Sequence, residues 1–193
     1  RETPLEDIPA ISAVIETEAF VQGALCTCFS GQCYLSSFAG NNSGNRGRCK
    51  QPCRRRYAID RAGYDAPAYA LSLSDLSVGK DVQKLLAAGV TSLKIEGRMR
   101  SAAYAAAAVE YYRAQLAGLP AQEALSRLRR TYNRGDYTRG LAFGQDRALL
   151  SRSVQGHIGE RVGQLSRREG KWFCACAFAA EHGDAFKILR GGK

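Results

Sequence analysis

Histidine is nearly missing from this 193-residue chain: only His157 and His182 occur, far along the sequence from most of the cysteines. There is no HExxH and no GxSxG, so neither a zincin site nor a nucleophile elbow is encoded. A cysteine nucleophile next to the clustered thiols lacks a neighbouring imidazole to take its proton. Lone histidines in such places read as surface or packing residues. No apolar run approaches the roughly 18 residues of a membrane span. The first ten residues, RETPLEDIPA, are too charged for a secretory signal. These absences predict a cytoplasmic chain with no membrane partner. The sequence starts without methionine and stops at LRGGK, so both ends read as cuts in a longer protein.

What is present is positive charge. The net charge is +10 with 45% hydrophobic residues, enough apolar material for a real core. Arginine supplies 21 of the 28 basic side chains, the residue suited to bidentate phosphate contact and base stacking. The charge is concentrated: Arg46, Arg48, Lys50, Arg54, Arg55, Arg56 and Arg61 face one acid, Asp60, a local charge of +6. Such a cluster attracts a phosphate backbone in a salt-dependent way. A polyanionic partner is the first reading, with Arg46, Arg48, Arg54, Arg55 and Arg56 as its phosphate contacts, and a genome that favours Arg and Ala codons is the alternative.

Five of the seven cysteines fall between residues 26 and 53. In a chain with no export signal, clustered thiols bind metal or do redox chemistry more often than they form disulfides. Cys26, Cys33, Cys49 and Cys53 can close around either zinc or an iron–sulfur cubane. The CxxC knuckles of zinc ribbons are absent. Spacing leaves both metals open, and it also allows Cys28 to replace Cys26. From Gly23 to about Arg56 the chain is Gly, Ser, Asn, Cys and Arg without apolar periodicity. A bound cluster would supply the core this stretch lacks.

The rest alternates regularly. A short helix is expected over residues 4–12 and a strand over 14–20. After the cysteine-rich stretch come a strand at 68–73, a helix at 82–88, a strand at 90–95, a helix at 101–117 capped by Ser101, and a basic helix at 121–130. Strand, helix, strand, helix predicts an α/β fold with a parallel sheet, open or closed as a barrel. Beyond residue 156 three pieces, HIGERVGQL, KWFCACAFA and DAFKIL, predict the start of a small all-β unit. Trp172, Cys174, Cys176 and Phe178 alternate onto one strand face there, so Cys174 and Cys176 read as core residues.

Three blocks, ETEAFVQGALCTCFSGQCYLS, SGNRGRCKQPCRRRY, and LSLSDL followed by GVTSLKIEGRMRSAAYAAAAVEYYR, resemble the signature of the collagenase-like peptidase family of unknown catalytic type, family U-thirty-two. The resemblance spans roughly residues 1–113. TYNRGDYTRGLAFG and HIGERVG resemble that family's link into a C-terminal β domain. It implies the C-terminal part of a TIM-like barrel with a Cys-rich insertion, followed by the start of a small all-β domain. The expected layout is a late barrel strand region at 1–22, a cluster-binding insertion at 23–60, the last barrel units at 61–132, a linker at 133–155 and the β domain from 156–193. Relatives in that family hydroxylate nucleobases of transfer or ribosomal RNA, act in oxygen-independent ubiquinone synthesis, or carry the label collagenase. The resemblance implies a 4Fe-4S cluster on Cys26, Cys33, Cys49 and Cys53, leaving Cys28 outside, with prephenate as a co-substrate. Gln22 and Gln32 depart from the family's usual His and Arg, which puts proton-transfer or anion roles there in doubt.

In LKIEGRMR, Lys94 and Glu96 share one strand face. At the C-terminal end of a barrel strand such residues point into the active-site mouth. Glu96, Lys94, Arg98 and, from the earlier strand, Glu18 are therefore the candidate catalytic residues. An ion-pair network locking the strand ends is the alternative. The sequence leaves three functions: an iron–sulfur RNA nucleobase hydroxylase, a peptidase, and a zinc-stapled RNA-binding module.

Overall fold

The computed structural model describes residues 1–60, 68–98, 100–144, 146–177, 179–180 and 182–189. Arg61 of the basic run and Phe178 of the last strand lie outside the described residues.

The chain opens with a 3-10 turn, Leu5–Asp7, running into α1, Ile8–Ser12, with Pro9 in the first turn, where its missing N–H costs nothing. The first strand, β1, is Glu18–Ala24, not residues 14–20. Val14 and Ile15 are exposed in the turn after α1, so branched side chains there did not make a strand without a partner to pair with. The cysteine-rich stretch holds only α2, Leu35–Gly40, and a 3-10 turn at Pro52–Arg54. Residues 68–73 are not a strand: Ala68 bridges Tyr57 and Leu73 bridges Leu150, and the strand proper is β2, Asp75–Ser77. Then come α3, Val82–Ala87, β3, Ser92–Ile95, and α4, Ala102–Leu116. α5, Gln122–Thr131, and the short β4, Tyr137–Thr138, complete this part.

The sheet order is β3-β1-β2-β4. β1 runs parallel to β3 and antiparallel to β2, and β2 is parallel to β4. The all-parallel expectation is therefore wrong, although the α/β class holds. Its cause is the long connection between β1 and β2, which brings the chain back so that Asp75 enters opposite Ala24, the last residue of β1. The described strands form an open mixed sheet. The C-terminal ends of β1 and β3 consequently share one edge with the N-terminal ends of β2 and β4.

α4 covers the sheet with Tyr104, Ala107, Ala108, Tyr111 and Tyr112, spaced i, i+3, i+4, i+7, i+8 as one helix face requires. Ser101 caps it, its Oγ accepting the Tyr104 N–H at 3.2 Å. The same core cluster holds Val21, Leu76, Val82, Leu85 and Leu128. Among the described residues no helix is long and apolar enough to cross a membrane.

The last described element is a hairpin of β5, Gly163–Arg168, and β6, Lys171–Cys176. DAFKIL forms no strand. Cys174 and Cys176 are exposed, which corrects their reading as core. A two-stranded hairpin covers neither of its own faces. Their sulfurs lie 3.4 Å apart on one face.

Candidate metal centre and the edge around it

The shared sheet edge gathers the candidate residues. Cys26 follows the end of β1, Glu96 and Arg98 follow β3, and Asp75 begins β2. Gly23, at φ +122°, lets β1 pass beneath the residue after β3: a Cβ there would lie 2.7 Å from Glu96 Cβ. The Glu96 N–H donates to the Gln22 carbonyl at 2.8 Å.

All seven cysteines are free thiols. Burial pushes the Cys53 thiol up, the adjacent Arg54 guanidinium pulls it down, and Cys49, Cys26 and Cys33 each push it up further. Those three are the other members of the predicted quartet. A thiol raised in this way resists deprotonation until a cation offsets the charge. Among the described residues, however, no three His, Cys, Asp or Glu side chains are grouped closely enough to hold a metal ion. The quartet shares a neighbourhood and suits a cluster in donor number and chemistry, without standing at ligating separations.

Hydrogen bonds hold this loop in place of an apolar core. Asn45 Nδ2 donates to the Gly31 carbonyl at 2.8 Å, and the Lys50 N–H to the buried Ser36 Oγ at 3.0 Å. Asn41 closes α2 in the left-handed region, φ 60°, a conformation asparagine tolerates. Arg98 donates to the Gly47 carbonyl at 2.7 Å. Its guanidinium braces the loop that carries Cys49, a role the sequence did not indicate.

Glu18 and Lys94 form an ion pair of 2.8 Å, about half exposed. The hydrogen bond from Lys94 holds the Glu18 carboxyl below its ordinary value. Glu18 begins β1 while Cys26 lies past its end, so this pair stands at the far end of the strand from Glu96, and the four candidates do not form one mouth. The ion-pair alternative fits Glu18 and Lys94. Glu96 is instead approached by Arg1, with 3.6 Å between Arg1 Nη2 and Oε2. Arg1 also donates to Cys26 Sγ at 3.2 Å and stacks 4.2 Å from the Phe20 ring centroid. Nothing in the sequence pattern marked Arg1.

Arg54 corrects a second expectation. It is 4% exposed, donating to the Leu25 carbonyl at 2.7 Å, to Ser72 Oγ at 3.1 Å and to the Leu73 carbonyl. Its charge ties the cysteine loop to the sheet and is not presented to RNA. Arg46, Arg48, Arg55 and Arg56 are exposed, as is Lys50. In the same stretch of chain Phe29, Tyr34 and Phe38 are exposed too, the last 89%.

Peptidase family U32 matches the chain over residues 1–152. The chain is 39% identical over 108 residues to a tRNA hydroxylation protein P1 of Bacillus subtilis (strain 168), covering 51% of this chain and 26% of the relative. It is 36% identical over 164 residues to a collagenase of Porphyromonas gingivalis, 81% of this chain and 42% of the relative. A 23S ribosomal RNA 5-hydroxycytidine synthase of Escherichia coli (strain K12) is 38% identical over 121 residues, 60% of this chain and 18% of the relative. The chain thus spans less than half the length of these curated relatives. No solved structure matches. On the match over residues 1–152, the chain belongs to Peptidase family U32.

Proposed function

We propose that the chain is part of an RNA nucleobase hydroxylase whose Cys26, Cys33, Cys49 and Cys53 hold a 4Fe-4S cluster, with the parallel β1–β3 pair as an arc of a TIM-like barrel. One observation carries this reading: the four thiols lie in one stretch of chain that Arg54 and Arg98 tie to the strand ends, and the same stretch exposes Arg46, Arg48, Arg55 and Arg56 as well as Phe29, Tyr34 and Phe38. Arginine tracks a phosphate backbone and exposed rings stack on unpaired bases, so this loop can bring single-stranded RNA beside the cluster. A bound cluster supplies one-electron chemistry. Here Arg54 and Arg98 fix the loop, Arg1 contacts Cys26, and Glu96 stands at the adjacent strand end. The names of the tRNA and ribosomal RNA relatives support RNA as the substrate. An acid co-substrate such as prephenate belongs to the same proposal.

The test is anaerobic purification of the full-length protein with iron and sulfide analysis and visible absorption, joined to mass spectrometry of RNA from a deletion strain. Brown protein containing iron and the loss of one hydroxyl mark are expected. Colourless protein with zinc alone supports the zinc-stapled module, and colourless protein with neither metal ends the cluster reading.

Peptidase action is the second reading, favoured by the 81% of this chain that aligns with a relative named collagenase. Its chemistry finds little here. His157 stacks on Tyr132 and accepts the Asn133 N–H at 3.0 Å. Proteolysis that survives alanine replacement of the four cysteines would establish it.

A further inference from the structure

We propose that Arg134 and Arg100, facing Asp75 on the shared sheet edge, receive a small oxyanion, a phosphate or a carboxylate group. The site is distinct from the cysteine loop and does not depend on the RNA reading.

Asp75 is 2% exposed and Arg134 1%. Arg134 Nη1 stands 3.5 Å from Asp75 Oδ1, and Arg100 Nη2 stands 3.9 Å from Oδ2. Both contacts are long for a buried pair, in which charge-assisted bonds normally close to about 2.8 Å. Two guanidiniums against one carboxylate leave a positive charge uncompensated where water hardly reaches. Arg54 adds a third charge to the neighbourhood, but its own donors are taken by Leu25, Ser72 and Leu73.

The hydrogen bonding is also unfinished. Arg134 Nη2 donates to Tyr132 Oη at 2.8 Å, while among the described residues its Nε and Nη1 have no hydrogen-bond partner, nor has Asp75 Oδ1. Gln22, buried on β1, has an Nε2 without a hydrogen-bond partner among the described residues. Buried donors in a folded protein are almost always satisfied. A water would complete a bond here but would not balance the charge, whereas an oxyanion does both.

The Arg134 backbone is pinned independently of its side chain. Ser151 Oγ donates to the Arg134 carbonyl at 3.2 Å, and Asn133 Nδ2 to the Gly159 carbonyl at 3.0 Å. Arg100 is held over the Tyr132 ring, its Cζ 3.3 Å from the centroid. Of the pair it is the one with solvent access, its side chain 15% exposed, and it marks the entrance.

The experiment titrates inorganic phosphate, and separately malonate, into the full-length protein at constant ionic strength, with chloride as the control, read by calorimetry and thermal unfolding. Saturable one-to-one binding with a rising melting temperature is expected for at least one of the two, and the tighter of them identifies the group as phosphoryl or carboxyl. Arg134→Gln weakens binding at least about ten-fold. Arg100→Gln, at a partly exposed position, weakens it several-fold and keeps the test open should the first variant not fold. Asp75→Asn removes the competing carboxylate and tightens binding. No saturable response to either anion, an unchanged affinity in folded Arg100→Gln, or an unchanged affinity in folded Asp75→Asn overturns the proposal.

Discussion

Arg98, leaving β3, donates to the Gly47 carbonyl at 2.7 Å across 51 residues of sequence. Gly47 has φ +74°, and a Cβ on it would strike the Arg98 guanidinium. The contact couples the cysteine loop to the parallel strand pair. Gly47→Ala is expected to cost about 1 kcal/mol for the left-handed backbone alone, more with the displaced arginine. Arg98→Ala should lower the metal content of purified protein while changing the melting temperature by only a few degrees. Equal metal content in wild type and Arg98→Ala would remove the bracing role.

Arg54 and Arg55 are neighbours with opposite fates. Arg54→Gln strands three buried acceptors and is expected to cost roughly 3 kcal/mol or more, read by chemical denaturation. Arg55→Gln is expected to leave stability within about 0.5 kcal/mol, while weakening RNA binding and reducing its salt dependence by about one counterion. Similar stability losses in both variants would contradict the burial of Arg54.

Phe38 is exposed at the end of α2. Phe38→Ala is expected to reduce affinity for single-stranded RNA by about 1–3 kcal/mol with little change in salt slope, since stacking is sequence-tolerant and not ionic. Fluorescence anisotropy at two salt concentrations separates this from the Arg55 effect.

Stability should fall at both pH extremes for different reasons. Asp81 is buried, which raises its pKa, yet hydrogen bonds from Lys84 at 2.8 Å and Arg139 at 3.3 Å outweigh burial and hold it below the ordinary 3.8. A carboxyl depressed on folding contributes stability above its unfolded pKa and loses it as pH drops through the folded one. Acid unfolding should therefore begin below about pH 4 and be shallower in Asp81→Asn. Tyr104 is pushed up by burial from 10.0 to about 12. Its contribution is complete below pH 10.0 and is lost as pH rises toward 12, so Tyr104→Phe should flatten the alkaline limb of the melting-temperature profile.

Ser101→Ala removes the side-chain acceptor at the start of α4 and is expected to cost about 1 kcal/mol. Thermal unfolding measures it, and Ser101→Asp should restore the loss.

Local chemistry made some of this molecule legible in advance. The α4 face from Tyr104 to Tyr112, its serine cap and the cysteine-rich break were readable because helix period, capping and thiol spacing act over a few residues. The strand at 14–20 was not, because branched residues become a strand only where a neighbour pairs with them, and β3 pairs four residues later. Parallel or antiparallel pairing, the inward turn of Arg54, the exposure of Cys174 and the meeting of Arg134 with Asp75 were decided by tertiary structure. Each depends on a contact between segments far apart in the chain, and no local propensity specifies which distant partner will satisfy a given charge or hydrogen bond.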